Sequence, residues 1–255
     1  MILRAVGVHK VYGAVEAIQH LDVEVATGEF LCILGPTGCG KSTFLNLVAG
    51  FEAPTQGEVL LSGKPIERPG PEREMVFQEH GLYPWLTVEG NVEFGPRIRG
   101  GGRQERRQLA RNFLDLVGLT GFECHYPDQL SGGMKQRAAL ARTLINEPQV
   151  LLMDEPFGAL DAITRTQMQQ LLLSIWSKTQ ATVIFVTHDV DEAILLGDRV
   201  LVMTPRPGRV AAEFEISLPR PRAYEVTTTD AFVAIKRQLL QVLKNVVPEV
   251  SANGR

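Results

Sequence analysis

The chain has 255 residues, 44 % of them hydrophobic and 22 % charged, with a formal net charge of −3. This suits a folded α/β core, excludes a largely disordered chain and offers no electrostatic footprint for nucleic acid. No stretch approaches the ~20 apolar residues of a spanning helix, Met1-Ile2-Leu3-Arg4 does not read as a signal segment, and Cys32, Cys39 and Cys124 read as free thiols rather than a zinc or redox pair.

Residues 2–30 alternate apolar with polar, with Leu21, Val23 and Val25 on one face. The alternation predicts an antiparallel sheet, turned into the next strand at Thr27-Gly28-Glu29. Tyr12 falls at the tip of that sheet, where its ring either stacks on an adenine or packs beside a turn.

Phe30 to Leu34 form an apolar run suited to a strand buried on both faces, and the residues after Lys41 have helical spacing, stopped by Gly50. Between them lie Gly35, Pro36, Thr37, Gly38, Cys39 and Gly40. Glycines here let the backbone turn its N–H groups inward, and the helix start adds its own N–H groups and positive dipole end, so the loop suits an anion of several charges. Lys41 then reaches the β- and γ-phosphates of a nucleotide, the Ser42 hydroxyl is placed to ligate the accompanying Mg²⁺, and Pro36 and Cys39 are spacers.

Gly57 to Gly63 read as a short strand, Pro65 to Pro71 as an irregular loop, and Met75-Val76-Phe77 as a strand ending at Gln78. Leu82-Tyr83-Pro84-Trp85-Leu86 then precede a helix capped by Thr87; the run is either a small core or a docking surface. After the break at Gly100-Gly101-Gly102, Arg103 to Val117 predict an amphipathic helix with Leu109, Phe113, Leu116 and Val117 inward and Gly118 as its stop. Residues 79 to 145 thus read as a helical insertion between strands.

Ser131-Gly132-Gly133 open a second glycine-rich helix start, either an ordinary Ser-capped helix or a further anion site. Val150 to Met153 form an apolar strand ending in Asp154 and Glu155. Asp154 suits a Mg²⁺ shell, and Glu155 suits orientation of the water that attacks the γ-phosphate. Asp161 caps a helix to about Lys178, and Thr182 to Thr187 form a buried strand that delivers His188 to the same edge as Asp154 and Glu155. His9, His20, His80 and His125 read as structural. A strand pair, Arg199 to Met203 and Val210 to Ile216, flanks Pro205-Arg206-Pro207-Gly208, and a last helix capped at Thr229 carries Phe232, Ile235, Leu239 and Leu243 on one face.

Taken in order, GPTGCGKS at 35–42, Gln78, LSGGMKQR at 130–137, LLMDE at 151–155, GALD at 158–161 and His188 resemble the nucleotide-binding subunit of ATP-binding cassette (ABC) transporters along almost the whole chain. The resemblance implies an α/β P-loop NTPase of the ABC ATPase type: a RecA-like mixed sheet core with an N-terminal antiparallel β subdomain, over 1–78 and 146–216. An α-helical subdomain is inserted at 79–145, and a short helical extension follows at 217–255. It implies that ATP is bound by Tyr12 at the A-loop position, by Gly35, Pro36, Thr37, Gly38, Cys39, Gly40, Lys41, Ser42 and Thr43 of the Walker A loop, by Gln78, and by Ser131, Gly132, Gly133 and Asp161. Catalysis falls to Glu155, His188, Gln78 and Lys41, and Mg²⁺ to Ser42, Gln78 and Asp154. Thr37 and Met134 depart from the commoner Ser and Gln without removing a group the chemistry needs.

In this family the signature closes over ATP held by a second ATPase subunit, so the resemblance implies a sandwich dimer with an identical or paralogous chain. It also implies two transmembrane permease subunits, an extracytoplasmic solute-binding protein, a place at the cytoplasmic face of the inner membrane, and no nucleic acid. GPGPEREMVFQ, LYPWLTVEGNV, PFGALDAITR, VMTPRPGRV and LPRPR look most like the importers of nitrate, sulfonates and taurine, and the stretch after the last core strand leaves no room for the extra β-domain of sugar and polyamine importers. The alternatives are an importer ATPase for another small solute, or an ABC ATPase that moves none; the second class usually carries coiled coils, paired cassettes or basic arms, which are missing here. A module that binds ATP without turnover would lack Glu155, His188 or Ser131, and all are present.

Overall fold

The computed structural model describes residues 1–246, which form two compact units, one from residues 1–68 with 184 onward and the other from 69–183. The last residues of the predicted 217–255 extension lie outside the described residues.

In the first unit β1 (Leu3–Tyr12) and β2 (Val15–Val25) pair antiparallel, with Leu3 opposite Val25 and Ala5 opposite Val23. The alternation works as predicted: Leu21, Val23 and Val25 are buried together with Leu3, Ala5 and Val8, while their neighbours face outward. β3 (Phe30–Leu34) is buried at every position and leads through the loop into α1 (Lys41–Ala49), which ends at Gly50 in the left-handed conformation. β4 (Gln56–Leu61) pairs with the free edge of β1, and β5 (Lys64–Pro65) completes the order β2-β1-β4-β5.

The second unit begins with β6 (Arg73–Val76), one residue short of the predicted end, since Phe77 lies outside the strand and is exposed. The helical region after it consists of α2 (Val88–Val92, capped by the Thr87 hydroxyl), α3 (Phe94–Ile98), α4 (Arg103–Leu116) and α5 (Gly132–Leu144). α2, α4 and α5 pack on one another. Here the structure corrects the predicted face of α4. Its fully buried positions are Ala110 and Leu114, followed by Val117, whereas Leu109, Phe113 and Leu116 are only partly covered. The helix is turned by about one position because small Ala110 lets it approach its neighbours closely, which a ranking by apolarity does not register. β7 (Val150–Asp154) runs parallel to β6, with Val76 opposite Met153, and α6 (Ala162–Thr179) follows, capped by Asp161.

β8 (Thr182–Thr187) returns the chain to the first unit, followed by α7 (Val190–Leu196), β9 (Arg199–Met203), β10 (Val210–Glu215) and α8 (Asp230–Val246). There the strand order is β10-β9-β3-β8, with β3 and β9 parallel and β9 and β10 antiparallel. α8 buries Phe232 and Leu239 of its predicted face, and Ile235 and Leu243 lie at the margin. The segment before it is tied down by Arg222, 4 % exposed, whose guanidinium donates to the carbonyls of Ile194, Leu195, Gly197, Ile216 and Leu218. These include the last carbonyls of α7, which have no partner within that helix. Arg220 adds bonds to Asp198 Oδ1 (2.7 Å) and the Leu196 carbonyl (2.6 Å). Among the described residues no helix is long and apolar enough to cross a membrane.

Candidate functional site

The predicted phosphate loop connects the end of β3 to the start of α1. Gly35, Cys39 and Lys41 are buried, whereas Thr37, Gly38 and Ser42 are exposed. Lys41 is 5 % exposed and curls over its own loop, donating to the carbonyls of Gly35 (2.9 Å) and Pro36 (3.1 Å). These carbonyls hold the ammonium beside the loop that a phosphate would enter, so the charge is in place before an anion arrives. Gly40 caps α1 with a φ of 97°, and the Phe44 N–H donates to its carbonyl at 2.9 Å.

Cys39 is more than the predicted spacer. Its side chain has no exposed surface and lies against Gly35, where it fills the floor of the loop, and burial pushes its thiol above the usual range. The loop is further walled by the β9–β10 turn: the Gly208 N–H donates to the Ala17 carbonyl (2.9 Å), and the Gln19 N–H to the Gly208 carbonyl (3.0 Å). Gly208 has to be glycine, because a β-carbon there would collide with the Cys39 carbonyl oxygen.

Tyr12 stands at the end of β1, 40 % exposed. Its hydroxyl donates to Glu52, and Lys10 joins them, bonding Glu52 Oε2 at 3.0 Å and the Ala53 carbonyl at 2.8 Å with its ammonium 4.8 Å from the Tyr12 ring centroid. Burial and then the Glu52 carboxylate push the phenol up to about 12, and a hydrogen bond with the Thr43 side chain acts the other way. Tyr12 is thus pinned by its tip with its ring in part uncovered. Glu52 had no signal in the sequence, since a single acid after a helix stop is ordinary.

His188 is exposed at the end of β8. Its backbone is set by the residues around it: the Thr187 hydroxyl donates to Glu192 Oε2 (2.7 Å) and accepts from the Asp189 N–H (3.0 Å), and Asp189 caps α7 through the N–H groups of Asp191 and Glu192.

The remaining predicted residues belong to the second unit. Asp154 ends β7 half-buried, and Glu155 follows with a φ of 43°, left-handed backbone that costs a side-chain-bearing residue about 1–2 kcal/mol. Gln78 reaches the turn after Glu155: its Nε2 lies 3.8 Å from where a β-carbon on Gly158 would stand. Ser131 caps α5 by accepting from the Met134 N–H at 3.3 Å, and Asp161 caps α6 by accepting from Ile163 (3.1 Å) and Thr164 (3.0 Å), bonds that hold its carboxyl below the usual range. The two helix starts are packed together. A β-carbon on Gly133 would lie 2.5 Å from Thr164 Cγ2, so only glycine allows this approach. The structure therefore brings Ser131, Gly132, Gly133 and Asp161 into one cluster, with Gln78 beside the Glu155 turn in the same unit.

A sequence model of the family described as ABC transporter matches residues 18–158, more than half of the chain. The chain belongs to the ABC transporter family. This ABC chain is 50 % identical over 202 residues to the taurine import ATP-binding protein TauB of Roseobacter denitrificans, covering 79 % of the chain and 75 % of that protein. To the nitrate import ATP-binding protein NrtD of Synechocystis it is 43 % identical over 238 residues, covering 91 % and 90 %. Among solved structures it is similar to the dimeric post-hydrolysis state of the ATP-binding cassette MJ0796 bound to ADP and Pi, with a TM-score of 0.75 and 33 % identity over 86 % of this chain and all of that one. The predicted fold class, an α/β P-loop ATPase of the ABC type, is the fold of this ABC chain.

Proposed function

We propose that this chain hydrolyses ATP to power import of a small anionic solute, of the nitrate, taurine or alkanesulfonate class, across a bacterial cytoplasmic membrane. The observation that carries this reading is its likeness to import ATP-binding proteins for both taurine and nitrate, over 79 % and 91 % of the chain.

In this reading the loop from Gly35 to Thr43 cradles the triphosphate, Lys41 faces the β- and γ-phosphates, and Tyr12 stacks on the adenine. Glu155 orients and deprotonates the attacking water, with His188 and Gln78 on the γ-phosphate side. Mg²⁺ would be held by the Ser42 hydroxyl, the Gln78 amide oxygen and the Asp154 carboxylate. The half-buried Asp154 at a strand end and the exposed Ser42 at a helix start fit a hard ion that keeps waters and phosphate oxygens in its shell. Bound there, the ion would neutralise charge on the phosphates.

Ser131, Gly132, Gly133 and Asp161 face a second ATPase subunit, identical or paralogous, in a head-to-tail ATP sandwich. The dimeric state of the MJ0796 cassette supports this arrangement. The helical subdomain at 79–145 docks on two permease subunits through the Leu82 to Leu86 run, where Trp85 is 70 % exposed with its ring 5.6 Å from that of Tyr83. The chain then sits peripherally at the cytoplasmic face of the inner membrane and is served by an extracytoplasmic binding protein.

Co-purification from detergent-solubilised membranes of the native host, with an ATPase assay of the product, tests the proposal. The expected result is a multispanning partner together with a binding protein that takes taurine, a sulfonate or nitrate. Recovery of soluble or nucleic-acid-associated partners alone would overturn the transport role.

A further inference from the structure

The turn between β9 and β10 was legible in the sequence only as a turn, yet it is built against the phosphate loop. Two backbone hydrogen bonds join Gly208 to Ala17 and Gln19 of β2, and the absence of a side chain at Gly208 lets the Cys39 carbonyl lie against it. Inside the turn the Thr204 hydroxyl donates to the Pro207 carbonyl (2.9 Å) and accepts from the Arg209 N–H (3.0 Å). The turn is therefore locked both internally and to its neighbours.

The side chain this platform carries toward the loop is Arg206. A β-carbon on Gly38, itself exposed at the crest of the loop, would lie 3.5 Å from Arg206 Nη2. Arg206 is exposed, and no described residue bonds or neutralises its guanidinium. A guanidinium held beside a loop whose N–H groups already favour anions, and left without a carboxylate, adds to the positive potential there and has its donors available to a phosphate oxygen. We infer that Arg206 is a further phosphate-binding residue of this ATP site, a second cation beside Lys41 delivered by the β9–β10 turn. The inference rests on the phosphate-loop reading of residues 35–43.

The test is equilibrium titration of the full-length chain with ATP and with adenosine, comparing wild type, Arg206→Gln and Arg206→Lys. At about 50 mM NaCl, Arg206→Gln should weaken ATP binding roughly three- to tenfold, and the gap should narrow at about 500 mM, where the screening length falls to a few ångströms. Adenosine, which has no phosphate, should bind all three proteins alike, and Arg206→Lys, which keeps the charge, should stay within about twofold of wild type. Equal ATP affinity of wild type and Arg206→Gln at low salt would overturn the role of Arg206 and leave the phosphate loop standing. So would an equal loss for adenosine, which would mean a displaced turn. A wild-type chain that binds adenosine but gains nothing from the triphosphate would overturn the loop reading and this inference with it.

Discussion

Glu155 combines two properties that a substitution can separate: a carboxylate proposed to orient the attacking water, and a left-handed backbone at φ 43° that costs about 1–2 kcal/mol for any residue with a β-carbon. Compared with alanine there, glycine relieves that cost but adds about 0.5–1 kcal/mol of backbone entropy to the unfolded chain, so the net gain of Glu155→Gly over Glu155→Ala is about 0–1.5 kcal/mol. For a chain of this size each kcal/mol moves Tm by about 2–4 °C, so Glu155→Gly should melt as high as Glu155→Ala or up to about 6 °C higher. Its ATP turnover should fall roughly 10²- to 10⁴-fold, the usual contribution of a positioned general base. Glu155→Gln keeps the backbone and removes the basicity, so it should lose turnover equally, retain ATP binding and accumulate as an ATP-bound dimer. Calorimetric melting, phosphate release and size-exclusion chromatography with ATP read these effects. Turnover within about tenfold of wild type in both variants would refute the base assignment. A lower Tm in Glu155→Gly than in Glu155→Ala would refute the reading of the backbone as strained.

Tyr12→Ala should weaken ATP binding about fivefold or more by loss of a stacking face, while Tyr12→Phe stays within about twofold; the two are separated by fluorescence titration, and equal losses would point to the Glu52 hydrogen bond instead. Maleimide on the native chain should modify Cys124 and spare Cys32 and Cys39, which are buried and whose thiols burial pushes upward, leaving little thiolate at neutral pH. Peptide mapping checks this, and labelling of Cys39 as fast as Cys124 would contradict the packed floor of the loop. Arg222→Met should destabilise the fold by about 3 kcal/mol or more, because five buried carbonyls lose their donor, with ATP affinity unchanged; urea unfolding measures the first and titration the second.

Much of the local structure of the candidate site was legible because it depends on neighbouring residues. The loop from Gly35 to Ser42, the caps at Thr87, Ser131 and Asp161, and the apolar strand before Asp154 each depend on residues within one turn or strand of each other, and short-range rules reach that far. The inward face of α4 was misjudged because periodicity ranks residues by apolarity, while packing selects the side that lets helices approach; Ala110 has little side chain to signal this.

By itself, then, the sequence determined the order of elements, the glycine-rich loop between β3 and α1, and the family, since spacing along the chain is enough to specify a strand, a glycine-rich turn and a helix start. The tertiary structure alone decided that Cys39 is floor rather than spacer, that Glu52 holds Tyr12, that Arg222 ties the segment before α8 to the end of α7, and that the turn carrying Arg206 lies against the loop at Gly38. The last three join residues far apart in the chain, and Cys39 is covered by such neighbours. Only the pairing of β9 with β3, which depends on burial summed over the whole sheet, brings the 205–208 turn to residues 17–19 and 38–39.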